Sequence, residues 1–154
     1  MSSERDFDFL IGDWSVQHRR LRRRLAGDTE WDEFTSPASA RKILGGLGNF
    51  DEIAIPLPSG AYLGATLRLF NPATRLWSIY WIDSRNPVLD PPMVGTFSEG
   101  RGLFYGDDRL DGRPIRVRFI WTPLTVQSCR WEQAFSTDEG RTWETNWTMS
   151  FTRA

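Results

Sequence analysis

The sequence predicts an all-β domain, an antiparallel up-and-down β-barrel of about ten strands with a short N-terminal helical plug, spanning residues 1–154 as a single domain. Three observations predict it. Short runs with period-two alternation recur along the chain, each bounded by turn residues. Helical signals nearly vanish after the opening residues. The connections are short, which enforces pairing between nearest neighbours, because parallel strands need long crossovers. A meander of this kind hides its edges by closing on itself. A two-sheet sandwich is the competing arrangement, but it prefers some longer Greek-key connections.

From Ser3 to Leu10 the chain suits one short helical turn, with Ser3 as its cap and Gly12 as its stop. Phe7, Phe9, Leu10 and Ile11 make that turn an apolar plug. Strands are then expected at residues 13–25, 30–43, 49–57, 61–70, 76–82, 93–97, 102–110, 115–121, 126–135 and 143–152. Turn chemistry separates them, as in Ala26-Gly27-Asp28, Pro58-Ser59-Gly60, Asn71-Pro72-Ala73-Thr74 and Asp111-Gly112. The longest connection, 83–92, carries Pro87, Pro91 and Pro92 and reads as a rigid lid or rim loop. Gly45-Gly46-Leu47-Gly48 has no helix after it to bind phosphate, so it reads as a place where a strand bends.

Nineteen basic residues nearly balance twenty acidic ones, for a net charge of −1, so no overall field draws in nucleic acid or an anionic membrane. The arginine run 19–24 alternates between two faces, and Glu30, Asp32 and Glu33 lie across the expected hairpin, so cross-strand ion pairs account for it. The eight Trp and ten Phe favour pleated surfaces and also line ligand cavities. Cys129 is the only cysteine and lacks a nearby His, so it reads as core and permits no intramolecular disulfide. With no basic-then-apolar leader and no apolar run of membrane-spanning length, the expected location is the cytoplasm.

Gly12-Asp13-Trp14 follows the apolar plug and opens the first strand. This resembles the Gly-x-Trp signature of lipocalins and related calycins. The wider opening, Phe7-Asp8-Phe9-Leu10-Ile11-Gly12-Asp13-Trp14, is similar to that of uncharacterised bacterial lipocalin-like barrels. The resemblance implies that Trp14 closes the barrel floor and that Arg153, at the end of the last strand, packs across it. It further implies a small apolar ligand, without identifying it. The lack of a disulfide and leader brings the chain nearer to intracellular barrels such as the fatty-acid-binding and nitrobindin-like groups. In the latter a later strand supplies the haem-ligating His, and no His follows residue 18 here, so no haem or other cofactor is expected. Ser136-Thr137-Asp138-Glu139-Gly140-Arg141-Thr142-Trp143 matches the Asp-box hairpin of sialidase propellers. A propeller needs several blades, and with one copy this is a structural turn in which Asp bonds the turn amides and Trp pins the hairpin to the core.

His18, the only histidine, is in phase with Trp14, Val16 and Arg20 on the first strand. If Trp14 points inward, His18 and Arg20 do as well. An imidazole and a guanidinium among tryptophans would orient a carboxylate, carbonyl or phenol, or support acid–base chemistry near neutral pH. The expected ligand-binding set is His18, Arg20, Trp77, Trp81, Trp121 and Trp131, with Gly12, Trp14 and Arg153 structural and no metal site. On the ninth strand Arg130 and Glu132 share one face, while Cys129, Trp131, Gln133 and Phe135 share the other. On the last strand Trp143, Trp147, Met149 and Phe151 share a face opposite Glu144, Asn146 and Thr148. One face of each lines the lumen, and alternation does not choose it. The fifth strand is apolar on both faces, which fits a homodimer. No serine-hydrolase, phosphate-loop, dinucleotide or zinc-hydrolase motif is present. The leading reading is a barrel that binds a small, largely apolar or aromatic molecule. The runner-up is an isomerase, cyclase or hydratase using His18 as acid or base. A solidly packed structural barrel is the third.

Overall fold

The computed structural model describes residues 2–154. Ten strands run β1 (Gly12–Leu21), β2 (Trp31–Ile43), β3 (Gly48–Leu57), β4 (Gly60–Asn71), β5 (Leu76–Asp83), β6 (Met93–Ser98), β7 (Arg101–Leu110), β8 (Arg113–Thr125), β9 (Ser128–Ser136) and β10 (Glu144–Arg153). Each pairs antiparallel with its chain neighbours, and β1 also zips to β10 from Trp14↔Arg153 to Arg20↔Trp147. The sheet therefore closes into a barrel. Its thinnest seam joins β5 to β6, paired only at Trp77↔Gly95, Ser78↔Val94 and Ile79↔Met93.

Several boundaries differ from the sequence expectation. β1 stops at Leu21, because residues 22–27 turn through positive φ at Leu25 and Gly27. β8 continues past Trp121 to Thr125, and Pro123 fits because the register shifts between Pro123 and Thr125. The N-terminal segment turns from Ser3, where the Asp6 amide donates to the Ser3 carbonyl at 3.1 Å and the Asp8 amide to that of Arg5 at 3.0 Å, but only Asp8–Leu10 is a 3-10 helix.

Alternation decides what faces inward. β1 buries Trp14, Val16, His18 and Arg20 and exposes the residues between them. β9 turns Cys129, Trp131 and Phe135 inward, leaving Arg130 and Glu132 outside as an ion pair at 3.3 Å. On β10 the expected face breaks at a bulge between Thr145 and Trp147. Asn146 is the extra residue, fully buried, with its Oδ1 accepting from Gln133 Nε2 at 2.9 Å. The bulge reverses the phase, so Trp143 does not share a face with Trp147. Trp143 instead packs half-buried against Tyr105 and under the Arg118 guanidinium, 4.5 Å from its ring, which corrects the expected pinning to the core. The Asp-box turn itself forms: Asp138 accepts from the Thr142 amide at 2.9 Å and from Ser136 Oγ at 2.7 Å.

One end of the barrel is packed solid. Phe7 is 1% exposed and lies among Trp77, Phe97, Phe104 and Trp121, with ring centroids 4.9 to 5.9 Å away. Burying such a ring stabilises the fold by about 2–3 kcal/mol. Trp14 Nε1 donates to the Leu10 carbonyl at 2.7 Å. The Arg153 guanidinium lies 3.8 Å from the Trp14 ring centroid and donates to the carbonyls of Ile11 (2.5 Å) and Phe9 (2.9 Å). Gly12 permits this, because φ is +122° there and a Cβ would collide with Arg153 Nη1. The outer arginines of the 19–24 run are paired: Arg19 with Glu33, Arg22 with Glu30 and Asp32, Arg23 with Asp28. Among the described residues no helix is long and apolar enough to cross a membrane.

Candidate functional site

A cavity of about 220 Å³ lies inside the barrel, between that packed end and the exposed residues Asp90, Asp107 and Asp108 at the other. Its waist is aromatic. Trp147 of β10 stands edge-on to Trp131 of β9 (5.6 Å, 83°) and to Trp81 of β5 (6.2 Å, 77°), and Phe119 packs on Trp131 at 5.1 Å. Trp81 has room because β4 carries Gly64 beneath it, where a Cβ would overlap the indole. Trp121 and Phe151 close the inner end, with centroids 5.4 Å apart.

Polar groups enter this aromatic wall at two depths. Near the floor, Arg68 Nη1 donates to Asp51 Oδ2 at 2.6 Å and to Asn49 Oδ1 at 2.8 Å. Its guanidinium lies 5.3 Å from the Trp121 ring and 5.5 Å from Phe7. The pair is buried, so each charge depends on the other. Near the mouth are Arg20, Arg24, Asp83 and Arg85. Asp83 is bound by Arg85 Nη2 (2.8 Å) and by Trp81 Nε1 (3.0 Å). The Arg85 hydrogen bond, with help from Trp81, holds its carboxyl down at about 2.

Arg20, Trp81, Trp121 and Trp131 sit on the cavity wall. Two members of the expected ligand-binding set do not reach it. Trp77 is 1% exposed in the packed end, where it meets Phe7 and donates Nε1–H to the Ser3 carbonyl at 3.3 Å. His18 is completely buried behind the wall. Trp147 Nε1–H donates to its Nδ1 at 3.1 Å, so Nε2 carries the proton and donates to Ser36 Oγ at 2.9 Å. Phe34 stacks on the imidazole at 4.3 Å. Burial pushes its pKa down to about 4. With both nitrogens engaged and no path to the cavity, this imidazole holds Trp147 in place and has no free position for acid–base work. Cys129 is likewise sealed, at 1% exposure, and burial pushes its thiol up to about 12.

Sequence reasoning missed Trp147, Gly64, Arg24 and the Asp51–Arg68 pair. A signal for the last exists in the alternation: Asn49 and Asp51 are in phase with Ile53 and Ile55, and Arg68 is in phase with Tyr62, Thr66 and Phe70. Charged residues in the inward phase of neighbouring strands mark a buried pair. Among the described residues no group of three or more His, Cys, Asp and Glu side chains could hold a metal ion. No protein-family model matches this chain, and no curated protein matches it in sequence. The site defines the protein only as a closed β-barrel with an aromatic internal cavity.

Proposed function

We propose that this is a lipocalin-like, cytoplasmic binding barrel that holds a small, largely apolar molecule in its aromatic cavity. The observation that carries the reading is the cavity itself, walled by Trp81, Trp121, Trp131 and Trp147 in a barrel that is solid below it. A packed structural barrel has no reason to keep such a space, because unfilled apolar volume costs about 24 cal/mol per Å³. The Gly12, Trp14 and Arg153 arrangement supports the lipocalin-like assignment, since the arginine crosses the floor tryptophan of the first strand. The volume is below the roughly 300–1,000 Å³ of drug-sized sites, so the ligand is small.

Titration with a panel of lipids, phenols and porphyrins, followed by intrinsic Trp fluorescence, tests the proposal. Small phenols and aryl compounds should give a saturable change, and Val117→Phe, which fills the cavity from its wall, should abolish it. A flat response across the panel, or an unchanged response in the filled variant, overturns the reading.

A further inference from the structure

The charges at the mouth are not balanced in the way those at the floor are. Arg20 is 7% exposed and points inward from β1, its guanidinium 5.1 Å from the Trp147 ring. Its Nε is buried without a hydrogen-bond partner. Arg24, from the β1–β2 turn, lies over Phe135 at 5.6 Å on the same cavity wall. Among the described residues neither arginine has a carboxylate within ion-pairing distance. The carboxylates nearby are used elsewhere or face water. Asp32 is held by Arg22, Asp83 by Arg85 and Trp81, and Asp107 by Arg116, while Asp90 and Asp108 lie exposed on the rim. A guanidinium largely withdrawn from water without a counter-charge is unfavourable, and a second, half-buried guanidinium on the same wall adds like-charge repulsion. Both stay charged, because arginine does not give up its proton in a protein.

Resting on the binding reading above, we infer that the ligand is a small aryl monocarboxylate. Arg20 and Arg24 hold its carboxylate at the mouth, and its one or two rings lie against Trp81, Trp131 and Trp147. The fork of a guanidinium matches the two oxygens of a carboxylate. The exposed acids Asp90, Asp107 and Asp108 on the same rim act against a second negative charge, which disfavours a phosphate monoester of charge about −1.5 to −2. Size sets the ring count. A cavity of about 150 Å³ accepts benzene, so about 220 Å³ accepts one ring with its substituent, or two fused rings.

Calorimetric titration of the full chain with four probes sharing one ring system tests this: 2-naphthoate, 2-naphthalenemethanol, 2-naphthylmethylammonium and 2-naphthyl phosphate. The expected order is naphthoate first, at least about tenfold tighter than the alcohol, the scale of one charge-assisted hydrogen bond, with the ammonium weakest. Arg20→Met and Arg24→Gln should each bring the acid-to-alcohol ratio below about threefold. Arg24 is on a half-exposed turn, so its variant tests the site even if the Arg20 variant fails to fold. Equal binding of acid and alcohol to the wild type, or an unchanged ratio in Arg24→Gln, removes the anion site and leaves the aromatic cavity standing. Tighter binding of the phosphate overturns the monocarboxylate. No binding of any of the four removes the cavity reading, and this proposal with it.

Discussion

Acidification isolates the one buried imidazole of the barrel wall. In the folded chain His18 accepts the Trp147 indole N–H at Nδ1, so a proton placed there would set donor against donor. Burial lowers its folded pKa from 6.5 to about 4. Between those values the unfolded chain binds the proton and the folded chain does not, so stability is complete above pH 6.5 and declines as pH falls through the window. One pKa unit corresponds to about 1.4 kcal/mol, which makes the loss about 2 kcal/mol by pH 5 and about 3 kcal/mol by pH 4, where it levels off. The low-lying carboxylates act in a different range. Asp83, held down to about 2 by Arg85, and Asp138, held below the carboxylate range chiefly by Thr142, add stability that is lost only below pH 3.8. Asp90, pushed up by partial desolvation on the rim and by the neighbouring Asp108 and Asp83 carboxylates, works in the opposite sense at the acid end. His18→Gln removes the titration while its amide still accepts from Trp147 and donates to Ser36. Urea unfolding at intervals from pH 7 to pH 4 should therefore slope for the wild type and run nearly flat for the variant. Parallel curves, or an NMR titration of His18 at its ordinary pKa, would refute the buried, doubly bonded imidazole.

Two further substitutions test the wall and the floor. Gly64→Ala places a methyl group on the Trp81 indole, so it should destabilise by about 1–3 kcal/mol and weaken any ligand-induced fluorescence change. Unchanged values in both measurements would show that the indole does not lie on the β4 backbone. At the floor, Asp51→Leu or Arg68→Met alone leaves a buried unpaired charge and should cost about 3–5 kcal/mol in urea unfolding, whereas the double variant should recover most of that loss. Additive losses would mean that the two side chains are not coupled.

The barrel was legible because alternation and turn chemistry agreed along most of the chain. Trp77, Ile79 and Trp81 on β5, and Ile115, Val117 and Trp121 on β8, follow the period of two that also sets the inward face. Local irregularities escaped that logic. No side-chain pattern announces the bulge at Asn146, and it moves Trp143 to the outside of the face on which Trp147 lies. Depth along the barrel axis escaped it as well. Trp77 and Trp81 share a face but stand about 13 Å apart along the strand, which puts the first in the packed end and the second at the waist. His18 was correctly read as inward. Its partners Ser36, Phe34 and Trp147 come from two other strands, and only the closure of β1 on both β2 and β10 brings them to it.

That closure also bears on the proposal that a ligand is recognised at the mouth. At the closed end the charges are already answered: Arg153 gives its nitrogens to backbone carbonyls, and Arg68 gives Nη1 to the Asp51 carboxylate and the Asn49 amide. At the open end the order is reversed. Arg20 lies on Trp147, Trp147 is anchored to His18, and His18 is anchored to Ser36, so three neutral links hold a charge that itself lacks a partner. A rigid support under an unsatisfied cation is the arrangement that lowers the ordering cost of capturing an anion. The same chain of contacts joins stability to recognition: protonating His18 would break the bond that orients the indole beneath Arg20, although His18 itself never touches the cavity.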